Sequence, residues 1–475
     1  MTEWDAVVVG SGPNGLAAAL TLAREGYSVQ VLEGADTPGG GCRTAELTLP
    51  GFHHDICSAA HPMGVSSPFF RSLPLEERGV TWVRSPAAAA HPLDDGPAVV
   101  LSGGVEETAR TLGEDGRAYR DLLEHTVGQW DAVVAGVLSP LALPHHPLYL
   151  ARFGLHAVRS ARGLLTSRFS GTRARALLAG FAAHGLLPLE QAPSAGFALT
   201  LGAAGHAVGW PLVAGGSQRL TDALVGLIRE HGGAVTCNRP VHAASDLPSS
   251  RVVLFDVTPR QLLRLGGHAL PPGYRRALRR YRYGPGAFKV DWALRDPVPW
   301  SDPACATAAT LHLGGTLEEI AASERGVWRG RPSRRPYTIL VQPTPFDPTR
   351  APPGRHTAWA YCHVPHGSPV DMTEAVETQV ERFAPGFRDC ILARHVYSAP
   401  ALEHHNPNYV GGDIGGGVQS LRQTLCRPVA SLHPWNIPVP GWFLCSSSTP
   451  PGGGVHGMCG HHAAQRALKH LRREP

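Results

Sequence analysis

Ala6-Val7-Val8-Val9 runs straight into Gly10-Ser11-Gly12-Pro13-Asn14-Gly15. An unbroken apolar, β-branched run suits a strand buried on both faces. Leu16, Ala19, Leu20 and Ala23 then recur at helical spacing, and Gly26 is placed to cap the helix. Ser28-Val29-Gln30-Val31-Leu32 reads as a second strand ending at Glu33. The glycine motif therefore lies between strand and helix, with an acid about 20 residues on, which is the pattern of a βαβ dinucleotide-binding unit. Gly10 allows the tight turn, Gly12 lets a pyrophosphate approach the backbone, and Gly15 lets helix and strand pack closely. Pro13 and Asn14 belong to the same loop. Glu33 can accept hydrogen bonds from ribose hydroxyls and would repel a 2′-phosphate.

Two more glycine-rich stretches extend the pattern. Pro38-Gly39-Gly40-Gly41-Cys42-Arg43-Thr44 follows Glu33, where it can fold back over the dinucleotide. Near the other end, Gly441-Trp442-Phe443-Leu444-Cys445 reads as a strand. It leads through Gly452-Gly453-Gly454-Val455-His456-Gly457-Met458 into a helix from Gly460 to Leu471. A glycine loop opening a helix again presents free N–H groups and a positive dipole end.

Together these stretches resemble the glutathione-reductase-type flavoproteins, and within them the amine oxidase and phytoene desaturase branch. The subgroup most resembled is that of the pyridine-nucleotide-disulphide oxidoreductase domain-containing proteins. The resemblance extends over nearly the whole chain, through Pro50-Gly51-Phe52, Gly215-Gly216-Ser217, Asn406-Pro407, Gly411-Gly412-Asp413 and Arg427-Pro428. It implies FAD as cofactor. It also implies that Gly40, Gly41, Arg43 and Thr44 lie over the cofactor, with Arg43 touching phosphate or ribose. Gly41 stands where many members have arginine. Val241 would contact the adenine through its backbone. Gly453, Gly454, Val455 and His456 would face the pyrimidine side of the isoalloxazine, where the helix end stabilises negative charge. Lys289, in the alternating strand Ala287-Phe288-Lys289-Val290-Asp291-Trp292-Ala293-Leu294, matches a strand lysine that reaches toward flavin N5 through water in the related amine oxidases.

The expected architecture is α/β: a Rossmann-type FAD-binding domain (glutathione-reductase-like) with an interleaved α+β substrate domain. Residues 1–85, 206–284 and 401–475 are assigned to the first, and residues 86–205 and 285–400 to the second. No second strand–GxGxxG–helix unit is visible; Gly215-Gly216 lacks a third glycine, and no helix is expected after Gly314-Gly315. Without a nicotinamide domain or a C-x-x-x-x-C pair, electrons are expected to pass to oxygen or another diffusible acceptor.

The net charge of +5 comes with no Lys/Arg cluster or reader motif, so nucleic acid is not an expected partner. The nine cysteines form no C-x-x-C and no metal spacing, which fits a reducing compartment and no metal. No apolar run of about 18 residues exists and no basic leader precedes the first strand, so the expected location is cytoplasmic. Between Asp131 and Glu190 lies a stretch without acids but with Arg152, Arg159, Arg162, Arg168, Arg173 and Arg175. Leu150, Phe153, Leu155, Val158, Leu164 and Leu165 could share one apolar helical face there. Two readings stay open: a lid over an apolar pocket, or a peripheral membrane contact through residues 145–185.

His184, His206, His312, His363 and His404-His405 are candidate pocket bases that the sequence does not rank. The expected function is two-electron dehydrogenation (desaturation) of a hydrophobic small molecule, such as an isoprenoid, polyene or polyketide-like metabolite, with hydride transfer to flavin N5. The alternatives are a flavin amine oxidase, a redox-neutral flavin isomerase or saturase, and a flavin-bearing interaction protein without turnover.

Overall fold

The computed structural model describes residues 3–139 and 147–473. The opening apolar run is the strand Trp4–Val9, central in a five-stranded parallel sheet. From edge to edge the order is Trp442–Leu444, Ser250–Phe255, Trp4–Val9, Val29–Leu32 and Ala234–Thr236. A central strand in such a sheet has helices or chain over both faces, which is why Ala6, Val7 and Val8 show no alternation and are all fully buried. The helix Pro13–Ala23 follows, with proline in its first turn and Gly12 extended at the N-cap. The chain turns at Gly26 (φ 84°) into Val29–Leu32.

The C-terminal helix, Met458–Leu471, packs against Pro13–Ala23. Gly460 permits this: a Cβ there would run into the carbonyl oxygen of Asn14. The last strand and helix thus complete the unit begun by the first.

A second sheet of seven strands has the order Ile391–Tyr397, Gly286–Leu294, His356–Val364, Thr338–Val341, Thr310–Leu313, Ala87–His91 and Val99–Ser102. Its pairings are antiparallel except where Leu311 meets Ala90. Strand alternation gives Gly286–Leu294 two different faces. Phe288, Val290, Trp292 and Leu294 pack with Val376, Val380 and Phe387. Lys289 and Asp291 stand on the opposite face, across from Tyr361 and Trp359.

Two expectations need correction. A helix does follow Gly314-Gly315, over Leu317–Trp328. Its strand, Thr310–Leu313, belongs to the mixed sheet and pairs antiparallel with Thr338–Val341, so this is not a second dinucleotide unit. The arginine-rich stretch is not one amphipathic helix either. Residues 145 and 146 lie outside the described residues; beyond them the chain breaks into Pro147–Ala157, Ala161–Arg168 and Thr172–Ala183. The Ser160 side chain caps the second of these, accepting from the Gly163 amide at 3.2 Å. Leu164 and Leu165 are fully buried, whereas Leu155 is 71% exposed, so no common apolar face forms. Several arginines serve as local ties: Arg175 Nε donates to the Phe169 carbonyl at 2.9 Å, and Arg162 pairs with Glu190 at 3.2 Å. Among the described residues no helix is long and apolar enough to cross a membrane.

Candidate cofactor and active site

The carboxyl ends of the parallel strands meet the first glycine loop, where ligands bind in open α/β sheets. Gly10 turns with φ 97°, and a Cβ there would lie 2.9 Å from the Asp256 carbonyl oxygen. A Cβ at Gly15 would collide with the Gly10 carbonyl, which is the close packing expected of that glycine. The second loop folds onto the first: Gly39 donates to the Ser11 carbonyl at 3.1 Å, and a Cβ on Gly40 (φ 54°) would come within 2.9 Å of the Gly12 Cα. Only backbone without side chains fits between the two loops.

Glu33 ends its strand with both carboxylate oxygens engaged. Oε2 accepts from the Ser11 amide (2.9 Å) and hydroxyl; Oε1 accepts from the Ala35 amide (2.9 Å) and from Arg43 at 3.3 Å. Arg43 is therefore a partner of Glu33, and both line the cavity.

Asp256, at the end of Ser250–Phe255, escaped the sequence reading. Its Oδ2 accepts from the Gly15 amide at 2.9 Å, and its carboxyl also faces the Gly12 amide. Burial pushes this carboxyl up to about 7; the Gly15 amide pulls the other way and the Glu33 charge adds to the rise. The Gly12 amide, expected at the pyrophosphate, thus already faces a carboxyl beneath the loop, together with the Gly15 amide.

One cavity of about 1240 Å³ runs from this loop to the mixed sheet, larger than the roughly 300–1,000 Å³ that suffices for one small ligand. Gly10, Gly12, Pro13, Asn14, Glu33, Gly40, Gly41, Arg43, Val241, Gly453, Gly454, Val455 and His456 all line it. Three candidates do not. Gly15 lies under the loop. Thr44 turns away, donating to Asp55 at 2.7 Å and accepting from the Gln218 amide at 3.1 Å. Lys289 is 3% exposed and its ammonium pairs with Asp291, which also lies 3.5 Å from His54. The ammonium sits 4.9 Å from the centre of the Trp359 ring, and it is Trp359 that lines the cavity.

Beyond the glycine loops the wall becomes apolar, with Leu138, Phe153, Phe197, Leu201, Ile339 and Val341. Trp359 and Tyr361 form a stacked pair, with centroids 6.0 Å apart and planes 27° apart. Of the histidine candidates, His184, His404 and His405 line the cavity, whereas His206, His312 and His363 do not. His61, not among those candidate bases, also lines it; its Nε2 lies 2.9 Å from the Ser217 hydroxyl, and burial pushes it down to about 4. His456, pushed down to about 4 by burial, accepts on Nδ1 from the Met458 amide at 3.0 Å and so fixes the turn into the last helix.

The residues fit a dinucleotide. Asn14 Oδ1 and Arg43 Nε are buried in the cradle wall without protein partners, and buried polar groups of this kind are ordinarily satisfied.

A parallel sheet with a glycine cradle, opening on an apolar chamber beside the mixed sheet, suits a flavin or dinucleotide cofactor. Residues 8–73 match the NAD(P)-binding Rossmann-like domain family. The chain is 26% identical to the rat (Rattus norvegicus) pyridine nucleotide-disulfide oxidoreductase domain-containing protein 2, over 99% of this chain and 94% of that one. It is 31% identical to hydroxyneurosporene desaturase of Rhodobacter capsulatus over 29% of each chain. The solved structure of cyclohexylamine oxidase from Brevibacterium oxydans has the same fold, with a TM-score of 0.59 and 15% identity over 99% of both chains. The chain is similar to the first of these along nearly its whole length and shares the fold of the last.

Proposed function

We propose that the protein holds FAD and catalyses two-electron dehydrogenation of a hydrophobic small molecule, with hydride transfer to flavin N5. The observation that carries this reading is the continuous cavity joining the glycine cradle to an apolar chamber. FAD would lie along Gly10–Asn14, Gly40, Gly41, Glu33 and Arg43, with Val241 at the adenine end and Gly453–His456 at the flavin end. Bound there, it supplies a two-electron acceptor. The chain's own contribution is to place the substrate and exclude water, which the wall from Leu138 to Leu201 is composed to do. The desaturase relative supports the same reaction class.

The test is anaerobic titration of the flavin-containing protein with apolar metabolites, following loss of the oxidised flavin absorbance. Bleaching by an apolar compound supports the reading; bleaching by primary amines alone overturns it. That second outcome belongs to an amine oxidase, for which the stacked Trp359–Tyr361 pair in the cavity wall is the specific argument.

A further inference from the structure

The helical wall of the apolar chamber, within residues 137–210, carries one ionisable side chain among its described residues, His184. It caps the C-terminal end of Thr172–Ala183 and stands edge-on to Trp210, with ring centres 5.2 Å apart. Its Nε2 lies 2.9 Å from Nε2 of His312, which is fully buried on Thr310–Leu313. His312 is boxed in by Phe181, with ring centres 4.9 Å apart, and by Trp210 at 5.9 Å. Gly180 leaves it room, since a Cβ there would lie 2.6 Å from His312 Nδ1. His184 is thus a cavity-wall ring locked from behind by a second ring.

The pair has a particular hydrogen-bonding character. Burial pushes His184 down to about 3 and His312 well below the ordinary histidine range. Beyond them His363, held by Glu324 at 2.7 Å, adds to the forces that keep His184 uncharged. Two neutral imidazoles joined Nε2 to Nε2 share one hydrogen. If His312 donates it, His184 carries its remaining hydrogen on Nδ1; if His184 donates it, Nδ1 is a lone pair. The wall can therefore offer either a donor or an acceptor, in both cases without charge. An ammonium or a carboxylate would find no counter-charge in this wall, whereas a hydroxyl or carbonyl oxygen would find a partner.

We propose that His184, positioned by His312, anchors a hydroxyl or carbonyl oxygen of the substrate, so that the chamber takes an uncharged, largely apolar compound bearing oxygen. This rests on the reading of the chamber as a site for an apolar small molecule. A pure hydrocarbon would leave the pair unused, and a charged amine would be disfavoured.

The test is isothermal titration calorimetry of the flavin-containing protein with farnesol, farnesene and farnesylamine, which share a skeleton. Farnesol should bind the wild type more tightly than the amine. His184→Leu should weaken farnesol about 5- to 10-fold, the scale of one net hydrogen bond, and change farnesene less than twofold. His184→Gln, which keeps a donor and an acceptor, should recover part of the loss. Unchanged flavin content in each variant reports that the fold is intact. Equal effects on farnesol and farnesene, no effect on either, or tighter binding of the amine overturns the anchor while leaving the apolar chamber standing. Failure of all three probes to bind the wild type overturns the chamber reading, and the anchor with it.

Discussion

Asp256 places an acid at the positive end of the helix Pro13–Ala23, against the loop amides. Its folded-state value of about 7 lies above the unfolded 3.8. The sign follows: the folded protein keeps a proton that the unfolded chain releases, so this stability is full below about pH 4 and is lost as pH rises toward 7. The loss is on the order of 4 kcal/mol. Asp256→Asn should flatten this part of the pH–stability curve of the cofactor-free protein and tighten FAD binding at pH 8. Parallel curves for wild type and variant between pH 4.5 and 8 would mean that the carboxyl titrates normally. Gly12→Val should abolish stoichiometric FAD, read by mass spectrometry of released cofactor, because its side chain would meet Asp256 Oδ2 (a Cβ alone lies at 2.6 Å) and block the backbone approach. Lys289 belongs to a buried group with Asp291 and His54. Lys289→Met leaves Asp291 without its cation, which should cost about 3–5 kcal/mol in chemical denaturation, with much of it recovered in the Lys289→Met/Asp291→Asn double variant. Unchanged stability with one flavin half-reaction slowed would instead put Lys289 at the cofactor.

At the scale of elements, the packing of Met458–Leu471 on Pro13–Ala23 depends on Gly460. Gly460→Val should force the two helices apart, lowering thermal stability by about 1–3 kcal/mol and loosening FAD; an unchanged melting curve would show that the contact is not needed. The dinucleotide unit was legible because a doubly covered parallel strand reads as an apolar run and glycines mark where backbone must approach backbone. Ser250–Phe255 carries the same apolar signature, but no glycine motif follows it, so nothing marked Asp256. The Lys289–Asp291 pair was within reach, since residues two apart on a strand share a face; the family resemblance drew attention to the lysine alone. His184 could not be ranked because its partner His312 is 128 residues away in sequence. The arginine-rich stretch misled because periodicity across residues 150–165 takes no account of the break that Ser160 caps.

At the scale of the whole molecule, the described residues hold one parallel sheet with a glycine cradle, and the second sheet is mixed. NADH and NADPH should therefore reduce the flavin more slowly than the true substrate does; stopped-flow rates as fast as turnover would require a nicotinamide site elsewhere. The strand order has a further result for biogenesis. Trp442–Leu444 pairs with Ser250–Phe255, and Met458–Leu471 rests on a helix near the start of the chain. A chain still emerging from the ribosome at residue 440 has made four of the five parallel strands, yet lacks one edge of the sheet and one wall of the cradle. Capture of the proposed cofactor would then follow translation, and the nascent chain would carry an unpaired strand edge in its parallel sheet, a surface prone to aggregation.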